Sequence, residues 1–224
     1  MNQVNPAYAR ASAGVLETNK VLRNTYALLA MTLTFSALTA GLSMALELPH
    51  PGVVLTLVGY FGLLFLVSKF QNSALGLVFV FALTGFMGFT LGPILNIYLT
   101  NVGNGAQLVM TALGGTGAIF FGLSAYALIT RKNFSFMGGM LTAGILVAFL
   151  AGLVALFLPD LPGLHIAVSA MFVVLMAGLI LYQTSEIVHG GERNYILATV
   201  TLYVSIFNLF TSLLHLLGVF GGDE

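Results

Sequence analysis

Apolar stretches of membrane-crossing length alternate with short polar breaks along most of the chain. A helix that crosses a bilayer needs about 20 mostly apolar residues. Seven runs meet or approach that length, and they cover residues 24–46, 53–68, 74–99, 107–129, 136–158, 164–183 and 195–219. The breaks carry turn residues, such as Pro49 and Pro51 in the first and Gly190 and Gly191 in the last. Because an open sheet cannot satisfy its edges in lipid, the pattern predicts an all-α, polytopic membrane protein.

Residues 1–23 differ from the rest of the chain because they are polar and contain no apolar run. A cleavable signal peptide would place a short apolar core close to the start, so we expect a mature cytoplasmic tail. Its composition is typical of a disordered segment. The predicted organisation is this tail, a seven-helix transmembrane domain at residues 24–219 and a short C-terminal tail at residues 220–224.

Composition strengthens the membrane interpretation and excludes several functions. Hydrophobic residues make up 58% of the chain and charged residues only 6%, whereas a soluble domain carries about 25% charged residues. The net charge is zero, so the chain lacks the basic footprint of a nucleic-acid-binding protein. The sequence contains no cysteine, which excludes a thiol nucleophile and a thiolate metal site. Lipid is therefore the expected surrounding, and no nucleic acid is expected as a partner.

Enzyme motifs are missing as well. The sequence has no Gly-x-Ser-x-Gly elbow, no P-loop and no His-Glu-x-x-His zinc helix. Its four histidines are scattered along the chain, at His50, His165, His189 and His215. His189 stands in a glycine-rich break, where we expect it to be solvated. The sequence thus predicts a protein that is not an enzyme and that holds no cofactor and no metal.

The basic residues indicate one orientation. With the N-terminus inside, every Lys and Arg falls on the inner side: Arg10, Lys20, Arg23, Lys69, Arg131, Lys132 and Arg193. Glu47 and Asp160 then fall outside. The positive-inside rule therefore predicts a cytoplasmic N-terminus and, with seven helices, a periplasmic C-terminus in a bacterial inner membrane.

The last predicted helix carries an intramembrane polar stripe. Thr201, Ser205, Asn208, Ser212 and His215 recur at spacings of four and three residues, which places them on one helical face. Asn194 precedes the helix on the same face and is a suitable cap. Unpaired polar groups cost several kcal/mol in hydrocarbon. We therefore predict that this helix lies at the centre of the bundle.

The stripe allows two interpretations. In the first, small polar residues let helices approach closely and form hydrogen bonds across their interfaces. In the second, they line a path for protons or ions, and Gln183 in the sixth helix joins the lining. The first helix has a similar face of small hydroxyls, at Thr25, Thr32, Ser36, Thr39 and Ser43, for which the packing interpretation is favoured. For the last helix the two interpretations remain open.

The sixth and seventh helices resemble those of the Bax inhibitor-1 family of membrane proteins. The resemblance is carried by residues 182–191 (YQTSEIVHGG), 194–196 (NYI), 198–203 (ATVTLY) and 206–210 (IFNLF). Further matches are Gly88 with residues 91–95 (LGPIL), and Thr111-Ala112 with Gly115-Thr116 and Phe120-Phe121. The combination is specific, and it extends over nearly the whole chain after the tail.

Within this family the chain is most similar to the bacterial YccA branch, which is described as modulating the membrane protease FtsH. The resemblance implies seven helices, the last of them enclosed by the other six, and it implies FtsH with its HflK and HflC partners as binding partners. Many family members carry two aspartates that are linked to a pH-sensitive calcium leak. The matching positions here are Gln183 and Ser205, which do not titrate, so the acidic switch is not expected.

Two functional hypotheses follow. The first is an inner-membrane interaction protein that restrains FtsH, because a protease can grip an unfolded end while a packed bundle resists extraction. Its protease-engaging segment would be the tail, at Met1, Asn2, Gln3, Val4, Asn5, Pro6, Ala7 and Tyr8. The second is a pH-dependent calcium or proton leak channel, lined by Gln183, Ser205, Asn208, Ser212 and His215.

Overall fold

Seven α-helices account for most of the part of the chain that the structure describes. The computed structural model describes residues 6–158 and 160–221, with side chains from Thr18 onward. The helices are α1 (Pro6–Ala45), α2 (Val53–Phe70), α3 (Ala74–Asn101), α4 (Gly105–Thr130), α5 (Gly138–Phe157), α6 (Pro162–His189) and α7 (Tyr195–Gly221), and a single 3₁₀ turn (Ser135–Met137) precedes α5. The described part contains no strand, and all seven helices are long and apolar enough to cross a membrane. The predicted fold class is confirmed.

The predicted start of the first helix was wrong. α1 begins at Pro6 and runs without a break into the membrane-crossing segment Thr18–Ala45. Proline is well suited to the first helical position, and the alanines that follow have the highest helix propensity. The expected disorder is therefore wrong for residues 6–23, whereas residues 1–5 and 222–224 lie outside the described part.

The sixth helix is longer than predicted. The apolar run ended at Gln183, but α6 continues through six more residues to His189 and ends at Gly190, whose φ of 73° forms a left-handed cap. The extension is helical because its polar residues Thr184 and Ser185 are buried between helices rather than exposed in a loop. Hydropathy alone does not show whether the polar residues after an apolar run continue the helix or form a loop.

α7 is the central helix of the bundle, as predicted. It packs against α1, α2, α3, α4 and α6, and its side chains Leu202, Tyr203 and Leu209 are almost completely buried. α5 is the exception, because it packs along α6 and is not among the helices in contact with α7. In the described part, the last helix is therefore enclosed by five helices rather than by the six that the resemblance implied.

α1 and α3 form the most extensive helix pair, and glycines allow their close approach. A Cβ atom at Gly88 would overlap the backbone of Ser36, and one at Gly92 would lie 2.6 Å from the Cβ of Ser43. Ser43 also donates a hydrogen bond of 3.0 Å to the carbonyl of Phe89. The small hydroxyls of α1 thus serve helix packing, which confirms the interpretation favoured for this face.

Candidate functional site

The predicted polar stripe lies where α7 meets its neighbours. Ser205 is fully buried and Ser212 is nearly so, whereas Thr201, Asn208 and His215 are half-buried. No member of the stripe is exposed. The stripe therefore faces the interior of the protein rather than the lipid, as its polarity requires.

Most of the hydrogen bonds along the stripe stay within α7. The Ser205 hydroxyl donates to the carbonyl of Thr201 at 2.7 Å, and the Asn208 amide donates to the carbonyl of Val204 at 2.9 Å. Such bonds to the preceding turn satisfy a polar side chain without a partner from another helix. The exception is His215, whose Nδ1 lies 2.8 Å from the hydroxyl of Ser169 in α6.

Gln183 is the candidate residue with an unmet hydrogen-bonding requirement. The side chain is only 6% exposed, and its amide nitrogen has no hydrogen-bond partner among the described residues. It does not pair with Ser205, whose hydroxyl is directed to its own helix. A buried amide usually has a partner in folded proteins, so Gln183 differs from Ser205 and Asn208, which bond within their own helix.

Tyr203 links three helices at the centre of the bundle, and the sequence reading missed it. Its hydroxyl donates to the carbonyl of Thr84 in α3 at 3.2 Å and lies 2.7 Å from the hydroxyl of Ser36 in α1. Since the tyrosine has only one proton to donate, Ser36 donates to Tyr203. The available signal was a tyrosine in the middle of an apolar helix, because a buried phenol needs a partner.

Further hydrogen bonds fasten α7 and α6 to their neighbours. Thr199 donates to the carbonyl of Thr25 in α1 at 3.2 Å, in addition to its bond within α7. In α6, the hydroxyl of Thr184 lies 3.3 Å from that of Tyr26 and 3.5 Å from that of Ser124. These contacts join α1, α4, α6 and α7 through hydroxyl groups that are not part of the predicted stripe.

Asn194 caps α7, as predicted. Its side-chain oxygen accepts the backbone N–H groups of Ile196 at 2.9 Å and Leu197 at 3.3 Å. The same side chain donates through its nitrogen to the carbonyl of Gln71 at 3.2 Å and to the side-chain oxygen of Asn72 at 3.0 Å. One residue therefore begins the central helix and holds the loop between α2 and α3.

His189 is exposed but is not simply solvated, which corrects the sequence interpretation. Its Nδ1 lies 2.8 Å from the carbonyl of Ser185, and its Nε2 lies 3.0 Å from the carbonyl of Arg131. The Ser185 hydroxyl donates to the carbonyl of Lys132 at 3.1 Å and accepts the N–H of Phe134 at 3.0 Å. The end of α6 therefore holds the loop between α4 and α5.

The site offers hydrogen bonding but little charge. Within the described residues, no group of three His, Asp or Glu side chains is placed to hold a metal ion. The half-buried Glu186 lies near the end of α6, whereas Glu47 and Asp160 stand in exposed turns. The polar groups of the site are therefore mainly hydroxyls and amides.

Comparison with protein families gives the same assignment as the motifs. The family model described as "Inhibitor of apoptosis-promoting Bax1" matches residues 18–222. The chain belongs to the Bax inhibitor-1 family. As a Bax inhibitor-1 family member with seven apolar helices, it is a membrane protein.

Several bacterial members of the Bax inhibitor-1 family are similar to this chain over their full lengths. The chain is 56% identical to "Modulator of FtsH protease YccA" of Escherichia coli strain K12, over 93% of this chain and 94% of that one. It is also 56% identical to protein PA2604 of Pseudomonas aeruginosa, over 93% of both chains. A membrane protein of Vibrio cholerae is 44% identical over 98% of this chain and 99% of its own length.

The two positions where the Bax inhibitor-1 resemblance led us to look for aspartates are both buried. Gln183 lies in α6 and Ser205 lies in α7, and neither side chain ionises. Two carboxylates at these positions could share a proton and repel each other when both are charged. An amide and a hydroxyl can only form hydrogen bonds, so no acid-driven switch can operate through this pair.

Proposed function

We propose that this protein is an inner-membrane interaction protein that restrains the ATP-dependent protease FtsH, acting on the complex that FtsH forms with HflK and HflC. One observation carries the proposal: 56% identity over 93% of the chain to an E. coli protein named as a modulator of FtsH. The match extends across nearly the entire bundle, which supports a shared role as well as a shared fold.

The packing of the bundle supports this role. α7 is enclosed by five helices, and hydrogen bonds from Tyr203 and Thr199 fasten it to α1 and α3. A protease that pulls on one end must break these contacts before it can extract the chain. A substrate that is engaged easily and unfolded slowly occupies the enzyme, and other membrane proteins are then degraded more slowly.

The N-terminal end of α1 is the proposed point of engagement. α1 has 40 residues and is therefore about 60 Å long, whereas the hydrocarbon core is about 30 Å thick. Its first turns thus extend beyond the membrane-crossing segment Thr18–Ala45. We assign the engagement to residues 1–8, of which Pro6–Tyr8 form the first helical turn and Met1–Asn5 lie outside the described part.

The orientation that this role requires follows from the charges. Lys20, Arg23, Lys69, Arg131, Lys132 and Arg193 all stand near one end of the bundle, which we call the basic end. Under the positive-inside rule the basic end faces the cytoplasm. The start of α1 would then lie on the cytoplasmic side, and the end of α7 would face the periplasm.

Two measurements test this proposal. The tagged chain is purified from bacterial membranes in mild detergent, and FtsH, HflK and HflC are sought in the eluate. FtsH and the chain are then placed in proteoliposomes with a second membrane substrate, whose degradation should slow when the chain is present. Failure of FtsH to co-purify, together with an unchanged rate of degradation, would overturn the proposal.

A pair of deletions tests the engagement segment separately. Deleting residues 1–8 should lengthen the lifetime of the chain in cells that express FtsH and relieve its effect on the second substrate. Deleting residues 222–224 is the matched control, and it should change neither quantity. If both deletions leave the lifetime unchanged, FtsH does not engage the chain through its N-terminus, and only the co-purification result then bears on the interaction itself.

A calcium or proton leak is the alternative function, and the unpartnered amide of Gln183 favours it. An amide without a partner is a better neighbour for water or a hydrated ion than an apolar side chain is. The purified protein in liposomes should then give calcium or proton flux between about pH 5 and pH 8, where histidine titrates. If the natural protein gives no flux in this range but the Ser205→Asp variant does, the fold is that of a channel that lacks its acidic gate.

A further inference from the structure

A long apolar groove opens on one side of the bundle. It lies among α1, α3, α4 and α7, and it encloses about 470 Å³. α1 and α4 form its two rims, and among the described residues their backbones stay apart, with the rings of Tyr26 and Phe120 in contact at one end. Leu113 and Phe121 on the α4 rim are exposed, so the groove opens laterally toward the hydrocarbon of the bilayer.

The hydroxyl groups on the walls of the groove have no proton left to donate to water. Only three hydroxyls line it, those of Ser36, Thr116 and Tyr203. Ser36 and Tyr203 bond to each other, Tyr203 donates to the carbonyl of Thr84, and Thr116 donates to the carbonyl of Ala112 at 2.7 Å. The rest of the lining is apolar, so the groove favours an apolar occupant over water, which needs two to four polar partners.

The dimensions of the groove match a single hydrocarbon chain. Its α1 wall runs from Leu33 to Met44, which is about 17 Å at 1.5 Å per residue. One leaflet contributes about half of the 30 Å hydrocarbon core, or about 15 Å. The groove is therefore about as long as one leaflet is deep, which is the depth that a single acyl chain occupies. A membrane-crossing helix spans the whole hydrocarbon core of about 30 Å, so only about half of such a helix would lie along the groove.

Small residues keep the groove open. Ala37, Ala40 and Gly41 line it from α1, and Gly117 lines it from α4. A Cβ atom at Gly41 or at Gly117 would meet nothing within 4 Å, so the space is present and is not filled by the protein's own side chains. Because empty apolar space forfeits dispersion contacts, an occupant from the bilayer is favoured.

We propose that this groove binds one acyl chain of a bilayer phospholipid. The α1 wall occupies the half of α1 that is remote from the basic end, and the α4 wall, from Val109 to Phe121, begins in the matching half of α4 and ends just past its middle. The acyl chain therefore enters from the leaflet opposite the basic end, and its tip reaches Ser36 and Tyr203 near the middle of the membrane. This lipid site is independent of the proposed action on FtsH.

Tryptophan fluorescence tests the proposal cleanly because the natural chain contains no tryptophan. Phe210 lines the groove and is only 5% exposed, so a Phe210→Trp probe is shielded from lipid unless an acyl chain enters. The full-length variant is reconstituted in vesicles of phosphatidylcholine that carries bromine in the middle of its acyl chains. Strong quenching of the tryptophan, relative to vesicles without bromine, is the expected result.

Matched substitutions on α4 locate the quenching lipid. Adding Gly117→Leu fills the groove and should return the fluorescence to the level seen without bromine. Adding Gly114→Leu places the same side chain three residues away, at an exposed position that does not line the groove, and should leave quenching intact. No quenching of Phe210→Trp, or equal effects of the two leucines, would overturn the proposal. Gly41→Leu fills the groove from α1 and replaces Gly117→Leu if that variant does not fold.

Discussion

α2 and α7 are almost equally apolar, yet they occupy opposite positions in the bundle. In the most apolar stretch of α7, 56% of the residues are buried, whereas the corresponding share in α2 is 6%. α2 packs mainly against α3 and exposes residues such as Val54 and Phe65. Total hydropathy thus shows that a segment crosses the membrane, but it does not show whether that segment faces protein or lipid.

The difference between the two helices lies in the placement of their polar groups. α7 carries a periodic polar stripe and a capping asparagine, and its polar groups bond within α7 or to α1, α3 and α6. α2 offers little of this kind, since Thr56 donates only to the carbonyl of Gly52 at its own start. In lipid, where apolar side chains gain little from contact with each other rather than with acyl chains, small and polar groups decide which helix is enclosed.

Replacing a large side chain by alanine should show the largest difference in stability between the two helices. Leu209 of α7 is fully buried, so Leu209→Ala leaves a cavity and should destabilise the protein by about 2–5 kcal/mol. Leu55 of α2 is 56% exposed, and Leu55→Ala should cost less than about 0.5 kcal/mol because lipid fills the space. Thermal unfolding in detergent measures both variants. Equal losses would contradict the central position of α7.

Adding a methyl group to glycine should give the next largest effect. Gly88 of α3 lies against the backbone of Ser36, which cannot rotate away, so Gly88→Ala should destabilise the protein by about 1–3 kcal/mol. Gly62 of α2 has open space around it, and Gly62→Ala should be neutral or slightly stabilising because alanine favours the helix. The same unfolding assay checks the pair, and a neutral Gly88→Ala would show that α1 and α3 separate more readily than their packing indicates.

Much of this fold could be predicted from the sequence because the bilayer imposes one strong rule. A helix satisfies its own backbone in lipid, so apolar length alone located all seven helices. The errors fell where that rule does not act. α1 extends outside the hydrocarbon region, where the helix continues because of the high helix propensity of its alanines. α6 continues through Thr184 and Ser185, which are polar but are buried by other helices.

The candidate site could be predicted only in part. Periodicity placed the stripe of α7 inside the protein, and the cap at Asn194 followed from residue type. Periodicity could not identify partners, so the links from Tyr203 to α1 and α3 and from His189 to the loop after α4 were missed. Such contacts depend on which helices are neighbours, and one sequence with a helical period does not contain that information.

Removing a single hydroxyl group should give a smaller difference in stability between α7 and α2. Tyr203→Phe keeps the ring but leaves the Ser36 hydroxyl, which is buried, without its acceptor. Hydrogen bonds between membrane helices contribute about 0.6 kcal/mol on average and up to about 1.7 kcal/mol, so we expect a loss in that range. Tyr60→Phe in α2 is the control, because no hydrogen bond of the Tyr60 hydroxyl is present among the described residues. The control should unfold like the natural protein, whereas an unaffected Tyr203→Phe would remove Tyr203 as the central link.

Ser205→Ala should have the smallest effect, and for that reason it separates the two interpretations of the stripe. The Ser205 hydroxyl bonds to the carbonyl of Thr201 within α7, so its removal leaves no group of another helix unpaired. Stability should therefore change by no more than the average of about 0.6 kcal/mol found for hydrogen bonds between membrane helices, and degradation of a second substrate by FtsH should stay restrained if the protein acts as a packed bundle. A leak path would respond differently, because Ser205 would supply a ligand to the moving ion or water. Unchanged unfolding combined with altered liposome flux would therefore assign Ser205 to a conducting path and contradict a purely structural stripe.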